Sequence, residues 1–256
     1  MVQTAERISQ YETSDKVIFE RSVFAYIEAA KLASGHLLEI GCGMGYGIET
    51  LLPCVTNYTA LDKFISEPVK QFSDKEEFNF IQTKIPPLSD IESNSIDTVV
   101  SFQVIEHIKN DKYFTEEIFR VLKPGGKALL TTPNKKMSLT RNPWHIREYT
   151  VGGLQLLFER NFNKINIFGV YGNDKVDNYY LQNKESVKRI TRFDIFNFQY
   201  LLPRFLLQIP YDILNRINRN KLLSNNNELV KDISHSDYHL KPADDNCYDL
   251  FIVVEK

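Results

Sequence analysis

The chain has 256 residues, enough for one sizeable core and near the upper size of a single domain. Hydrophobic residues make up 43% and charged residues 25%, the balance of an ordinary soluble globular protein, and the formal net charge of -2 offers no general attraction to nucleic acid. Cys42, Cys54 and Cys247 show neither CxxC nor metal-ligand spacing and read as reduced thiols of a cytoplasmic protein, and no signal-type apolar core or membrane-length apolar stretch is visible.

A helix is expected over about residues 16–33, a candidate lid. His36 to Ile40 is short, apolar and bounded by glycine, which suits a strand buried on both faces. It runs into the glycine stretch of "LLEIGCGMGYG", and Ile48 to Cys54 then reads as a helix. The glycines therefore sit where a helix N-terminus presents free N–H groups. The dinucleotide fingerprint G-x-G-x-x-G fails in both registers, because its third glycine would fall on Tyr46 or on Ile48. What stands instead is Glu39-x-Gly41-x-Gly43-x-Gly45. A carboxylate there is unwelcome beside a pyrophosphate and suits a ligand with an ammonium group. This pattern resembles that of the class I S-adenosylmethionine-dependent methyltransferases, over about residues 20–170 and the last strand. The resemblance implies S-adenosyl-L-methionine as cofactor, with Glu39, Gly41, Cys42, Gly43 and Gly45 against its methionyl part and ribose.

Asn57 to Leu61 reads as a second strand ending in Asp62-Lys63. A carboxylate at that strand end, about 20 residues past the glycine turn, can accept both ribose hydroxyls, so Asp62 is placed in the cofactor site with Lys63 beside it; the alternative is an Asp that caps the next helix. Phe78 to Gln82 is the third strand. Many relatives follow it with Asp-Ala at the adenine, whereas this chain has Thr83-Lys84, which leaves main-chain groups at Thr83 for that contact. A fourth strand, Thr98 to Phe102, brings Phe102 and Gln103 to the sheet edge where open α/β sheets bind ligands. Glu116 to Asn134 reads as helix, Pro-Gly-Gly turn and fifth strand, and is similar to the V-L-K-P-G-G element of the same family; Pro124, Gly125 and Gly126 are assigned structural work. Val151 to Arg160 is expected helical, Ile165 to Tyr171 the sixth strand, and the C-terminal YDLFIVVEK the seventh. The implied fold is a single α/β domain over 1–256: a Rossmann-like, doubly wound, seven-stranded sheet of order 3-2-1-4-5-7-6 with the last strand antiparallel.

His107 lies in Gln103-x-x-Glu106-His107. The position resembles the metal-binding E-x-x-E-H of relatives that methylate ubiquinone precursors or RNA 3′ ends. Gln103 replaces the first anionic ligand by an amide, so no metal is expected, and His107 is placed in the cofactor site. His145 lies in "NPWHIREYT" after the fifth strand, similar to an N-P-[FW]-H-x-x-E-[FY]-[ST] stretch of bacterial methyltransferases associated with surface glycans and secondary metabolites. It is the candidate general base, with Trp144, Arg147 and Tyr149 as an acceptor clamp; the alternative is that His145 and Glu148 only fix the loop. Residues 180–247 intrude before the last strand. Part of the insertion, 184–221, is basic and rich in Phe, Leu, Ile and Tyr, and reads as amphipathic helices broken at Pro203 and Pro210, with "SNNNE" beyond as a flexible loop. It is a lid, a homodimer contact or a peripheral membrane contact. The expected activity is O-methylation of a small-molecule or glycan acceptor, not of nucleic acid. The alternatives are a metal-assisted O-methyltransferase of a quinone precursor or RNA end, and a non-catalytic cofactor-binding partner protein.

Overall fold

A computed structural model describes residues 8–194 and 197–256, so Ile195 and Phe196 of the expected amphipathic stretch lie outside the described residues. In chain order the elements are α1 (Lys16–Ala30), β1 (His36–Ile40), α2 (Ile48–Leu51), β2 (Asn57–Asp62), α3 (Glu67–Lys70), β3 (Phe78–Gln82), β4 (Ile96–Phe102), α4 (Asp111–Val121), β5 (Leu122–Pro133), α5 (Val151–Phe158), β6 (Lys164–Gly172), α6 (Asp174–Thr191), α7 (Phe198–Leu201), α8 (Arg204–Asn225), α9 (Asn227–Asp232), β7 (Tyr238–Pro242) and β8 (Asp249–Glu255).

The strands form one sheet of order β3-β2-β1-β4-β5-β8-β6-β7. β1 to β5 pair in parallel, and β8 runs antiparallel between β5 and β6. Neighbouring residues on the central strands serve opposite faces. Leu37, Val100, Leu129 and Phe251 enter one apolar cluster, and Leu38, Val99, Leu130 and Ile252 the other. That doubly covered burial is why these strands are apolar throughout rather than alternating.

Four expectations are corrected. The sheet has eight strands, because Tyr238–Pro242 adds to the free edge of β6. Its short length and terminal proline are what an edge tolerates. The helical insertion begins at Asp174, where Asn173 caps α6 through Lys175 and Val176, rather than at 180. Pro203 does precede a helix, but Pro210 lies inside α8 without ending it. The polar side of α8 is tied down beyond the proline by Asp212, Arg216, Asn218 and Arg219, whose bonds offset the one lost at Pro210. Finally, Ser224 to Glu228 is no loop: α8 and α9 meet there, and the Asn226 amide donates to the Leu222 carbonyl at 3.2 Å.

Candidate active site

The glycine loop leaves β1 at its carboxyl end. Gly41, Gly43 and Gly45 have φ of +80°, +55° and +79°, a left-handed run that side chains resist. A Cβ on Gly41 would press on Val104, and one on Gly45 on Val69, whereas one on Gly43 would meet nothing within 4 Å. Gly43 thus forms the floor of an open cradle. Asp62, at the end of β2, faces it: Oδ2 accepts the Gly43 N–H at 2.9 Å and Oδ1 accepts the Phe64 N–H at 3.1 Å. Each carboxylate oxygen keeps further acceptor capacity toward a ligand. Thr83 donates its N–H to the Asp62 carbonyl at 3.0 Å, and Lys63 lies exposed over the Phe64 ring. Phe102 and Gln103 close the same edge from β4, Gln103 in a left-handed conformation with φ +56°.

Glu39 does not point into this cradle. It is buried, and it accepts hydrogen bonds from the Tyr26 hydroxyl at 2.7 Å and the Tyr58 hydroxyl at 2.5 Å. Burial pushes its carboxyl pKa up, the two phenols pull it back, and the charge of Asp62 adds to the rise. Through these two bonds Glu39 joins α1, β1 and β2 beneath the loop. Cys42 is buried in the same layer.

On the other side of β4 and β5, two histidines stack edge to face with ring centres 5.1 Å apart. His107 Nδ1 bonds to the Trp144 carbonyl at 3.1 Å. His145 Nδ1 lies 2.7 Å from Glu148, and its Nε2 is 2.8 Å from the Asn142 amide. The carboxylate can only accept, so Nδ1 carries the proton and Nε2 is the basic nitrogen. Glu106 sits below, with Oε2 accepting from Thr132 at 3.1 Å, and offers with His107 and His145 a set of ligand atoms within 4.8 Å of one another.

A cavity of about 490 Å³ opens beside His145, walled by α1, α6, α8 and the loop after β5. His145, Glu148, Arg21, Tyr179, Tyr248 and Asn218 are among its lining residues. The expected acceptor clamp is dispersed. Arg147 pairs with Asp111 and donates to the Lys109 carbonyl, the Tyr149 hydroxyl donates to Asp111 at 2.8 Å, and Trp144 Nε1 donates to Asp212 of α8 at 3.0 Å. None of the three lines the cavity. They hold the 142–149 loop to α4 and α8.

Two residues that sequence reasoning missed face this region. Asp249 begins β8 opposite Pro133 of β5, at the ligand edge, and is 5% exposed. Its Oδ2 lies 2.9 Å from Nε of Arg21. Burial raises the Asp249 pKa, while Arg21, Gln103 and His145 draw it down. The signal was present, since an acidic residue opens the strand ahead of the apolar run Leu250–Val254, but only the antiparallel course of β8 brings it to this edge.

A model of the methyltransferase domain matches residues 38–130, which span the glycine loop and β1 to β5. A Mycolicibacterium smegmatis protein named as a probable S-adenosylmethionine-dependent methyltransferase is 32% identical over 177 residues, 66% of this chain and 68% of that one. The chain belongs to the S-adenosylmethionine-dependent methyltransferases. A ubiquinone biosynthesis O-methyltransferase of Rickettsia typhi is 29% identical over 139 residues, 53% of this chain and 54% of that one, so the match spans about half of that relative. A Thermotoga maritima methyltransferase structure shares the fold at 13% identity, with a TM-score of 0.55 over 92% of this chain and 89% of that one.

This methyltransferase uses S-adenosylmethionine, and the β1–β2 edge suits that cofactor. The main chain at Gly43 is open to close approach, and the fixed Asp62 carboxylate offers acceptors of the kind that ribose hydroxyls need.

Proposed function

We propose that the chain methylates an oxygen of a small molecule or sugar held in the cavity beside His145. The observation that carries this reading is the cavity itself. At about 490 Å³ it has the size of a small-ligand site, and its mainly apolar wall carries phenols and amides such as Tyr179, Tyr211, Asn183 and Asn215 that suit a guest with hydroxyl groups on an apolar body. S-adenosylmethionine supplies the methyl group on a sulfonium. The protein's work is to hold the acceptor hydroxyl in line and to take its proton. Glu148 fixes the His145 tautomer, and the acceptor hydroxyl takes the place of the Asn142 amide at Nε2. The similarity to an O-methyltransferase in Rickettsia typhi favours oxygen as the acceptor atom. The test is S-adenosylhomocysteine formation with a panel of sugars, phenols and amines. With the acceptor so found, His145→Ala should lower kcat by about 10²–10⁴ and leave cofactor affinity nearly unchanged. Turnover confined to amines, or an intact kcat in the variant, would refute the corresponding part.

A second reading rests on the Glu106, His107 and His145 cluster. Two imidazoles and a carboxylate form a donor set for a divalent transition metal. Such an ion would polarise the acceptor oxygen. Stoichiometric metal by elemental analysis, lost in Glu106→Gln, together with activity abolished by EDTA, would favour this reading. Full activity in EDTA would remove it.

A further inference from the structure

We infer that the outer face of α8 docks on an anionic lipid surface. α8 is amphipathic with its polar side turned inward. On that side Arg216 and Arg219 meet the fully buried Asp15 at 2.9 Å, the Asn218 amide donates to Asn183 at 2.7 Å, and Asp212 accepts from Trp144. The apolar side faces out. Phe205, Leu206, Ile209, Ile213 and Ile217 are between 52% and 71% exposed, and Leu201 of α7 continues the patch. Phe205, Ile209, Ile213 and Ile217 recur every four residues, which lines them up along one face. A lone exposed leucine needs no account, but a continuous row of large apolar side chains marks an interaction surface.

Charge selects the partner. Within 205–217 the two ionic side chains, Asp212 and Arg216, belong to the inward side. The next residue of the row is Lys221, which is exposed, and it borders a groove with Arg189, Ser186, Asn225 and one acid, Glu185. Lys184, Lys188 and Arg192 are exposed on and just after α6, and Glu185 is held by Lys188 at 3.0 Å. An apolar row ending in cations fits the boundary between acyl chains and anionic headgroups. A second copy would bring the same cations, and α8 exposes no acid to receive them. Among the described residues no helix is long and apolar enough to cross a membrane, so the contact is one of surface docking. The cavity lies under the same helix: Leu214 is both exposed and part of its lining, so docking brings the cavity to the lipid–water boundary. The inference does not depend on the acceptor reading, since vesicle binding is measured without turnover.

The experiment is co-sedimentation of the full chain with vesicles of phosphatidylcholine alone or with added phosphatidylglycerol. The protein should sediment with the anionic vesicles, less so in high salt, and poorly with phosphatidylcholine alone. Ile209→Asp with Ile213→Asp should reduce binding at least about tenfold. So should the charge reversals Arg189→Glu with Lys221→Glu, and both variants should keep wild-type cofactor affinity as a check on folding. Wild-type protein left in the supernatant with anionic vesicles would overturn the inference, as would unaltered sedimentation of the apolar-face variant. A concentration-dependent dimer lost in that variant, with no vesicle binding, would also overturn it and assign the face to a second copy.

Discussion

Asp62 links two loops with one carboxylate, holding the N–H groups of Gly43 and Phe64. Asp62→Ala should weaken S-adenosylmethionine binding, since hydrogen bonds to a charged group are worth about 1.5–3 kcal/mol each. Calorimetric titration measures it, and unaltered affinity would remove Asp62 from the cofactor site. Glu39 predicts a pH effect instead. Its folded pKa lies above the usual carboxyl value because it is buried. Between the two values the folded chain binds more protons than the unfolded chain, so this group's contribution to stability falls as pH rises. Relative to Glu39→Gln, the wild-type Tm should therefore be favoured below the ordinary carboxyl range and lose that advantage as pH climbs through the raised folded pKa. A pH-independent Tm difference would contradict this. The glycine loop and Asp62 were legible in the sequence because a loop next to its strand is a local pattern. The partners of Glu39 were not, since Tyr26 and Tyr58 reach it by way of a separate helix and a neighbouring strand.

At the scale of elements, α1 is clamped to the glycine loop through Gly47. A Cβ there would collide with the edge of the Tyr26 ring at Cε1, so the helix can approach only because residue 47 has no side chain. Gly47→Ala should cost about 1–3 kcal/mol by urea denaturation, as overpacking does, and should also weaken the Tyr26 to Glu39 bond and cofactor binding. A variant as stable as wild type would show that α1 can retreat without loss. Two strands were readable to the residue: His36–Ile40 and Phe78–Gln82 stand where an apolar run between turn residues put them, whereas the edge strand Tyr238–Pro242 was missed and the expected Pro124-Gly125-Gly126 turn lies inside β5. The insertion was readable only as amphipathic. Periodicity reveals a stripe but not which side faces inward, and here buried Asp15 and Asn183 claim the polar side. The structural partners of Trp144, Arg147 and Tyr149 were hidden for a similar reason. Their partners, Asp212 and Asp111, are far along the chain and nothing in a local motif announces them.

Across the whole molecule, the sheet order decides what chemistry can meet. β1, β2 and β4 bring the glycine loop, Asp62 and Gln103 to one edge, and β8, entering antiparallel beside β5, returns Asp249 to it. α1, α6, α8 and the loop after β5 enclose the cavity, which meets the end of β5 at Pro133. The central claim is that cofactor cradle and acceptor cavity meet beside His145. A crystal structure of the complex with S-adenosylhomocysteine tests it most directly. The account predicts the ribose hydroxyls on Asp62, the nucleoside over Gly43 and the sulfur directed into the cavity toward His145. A sulfur facing away from that cavity, or a nucleoside bound away from Gly43, would contradict it.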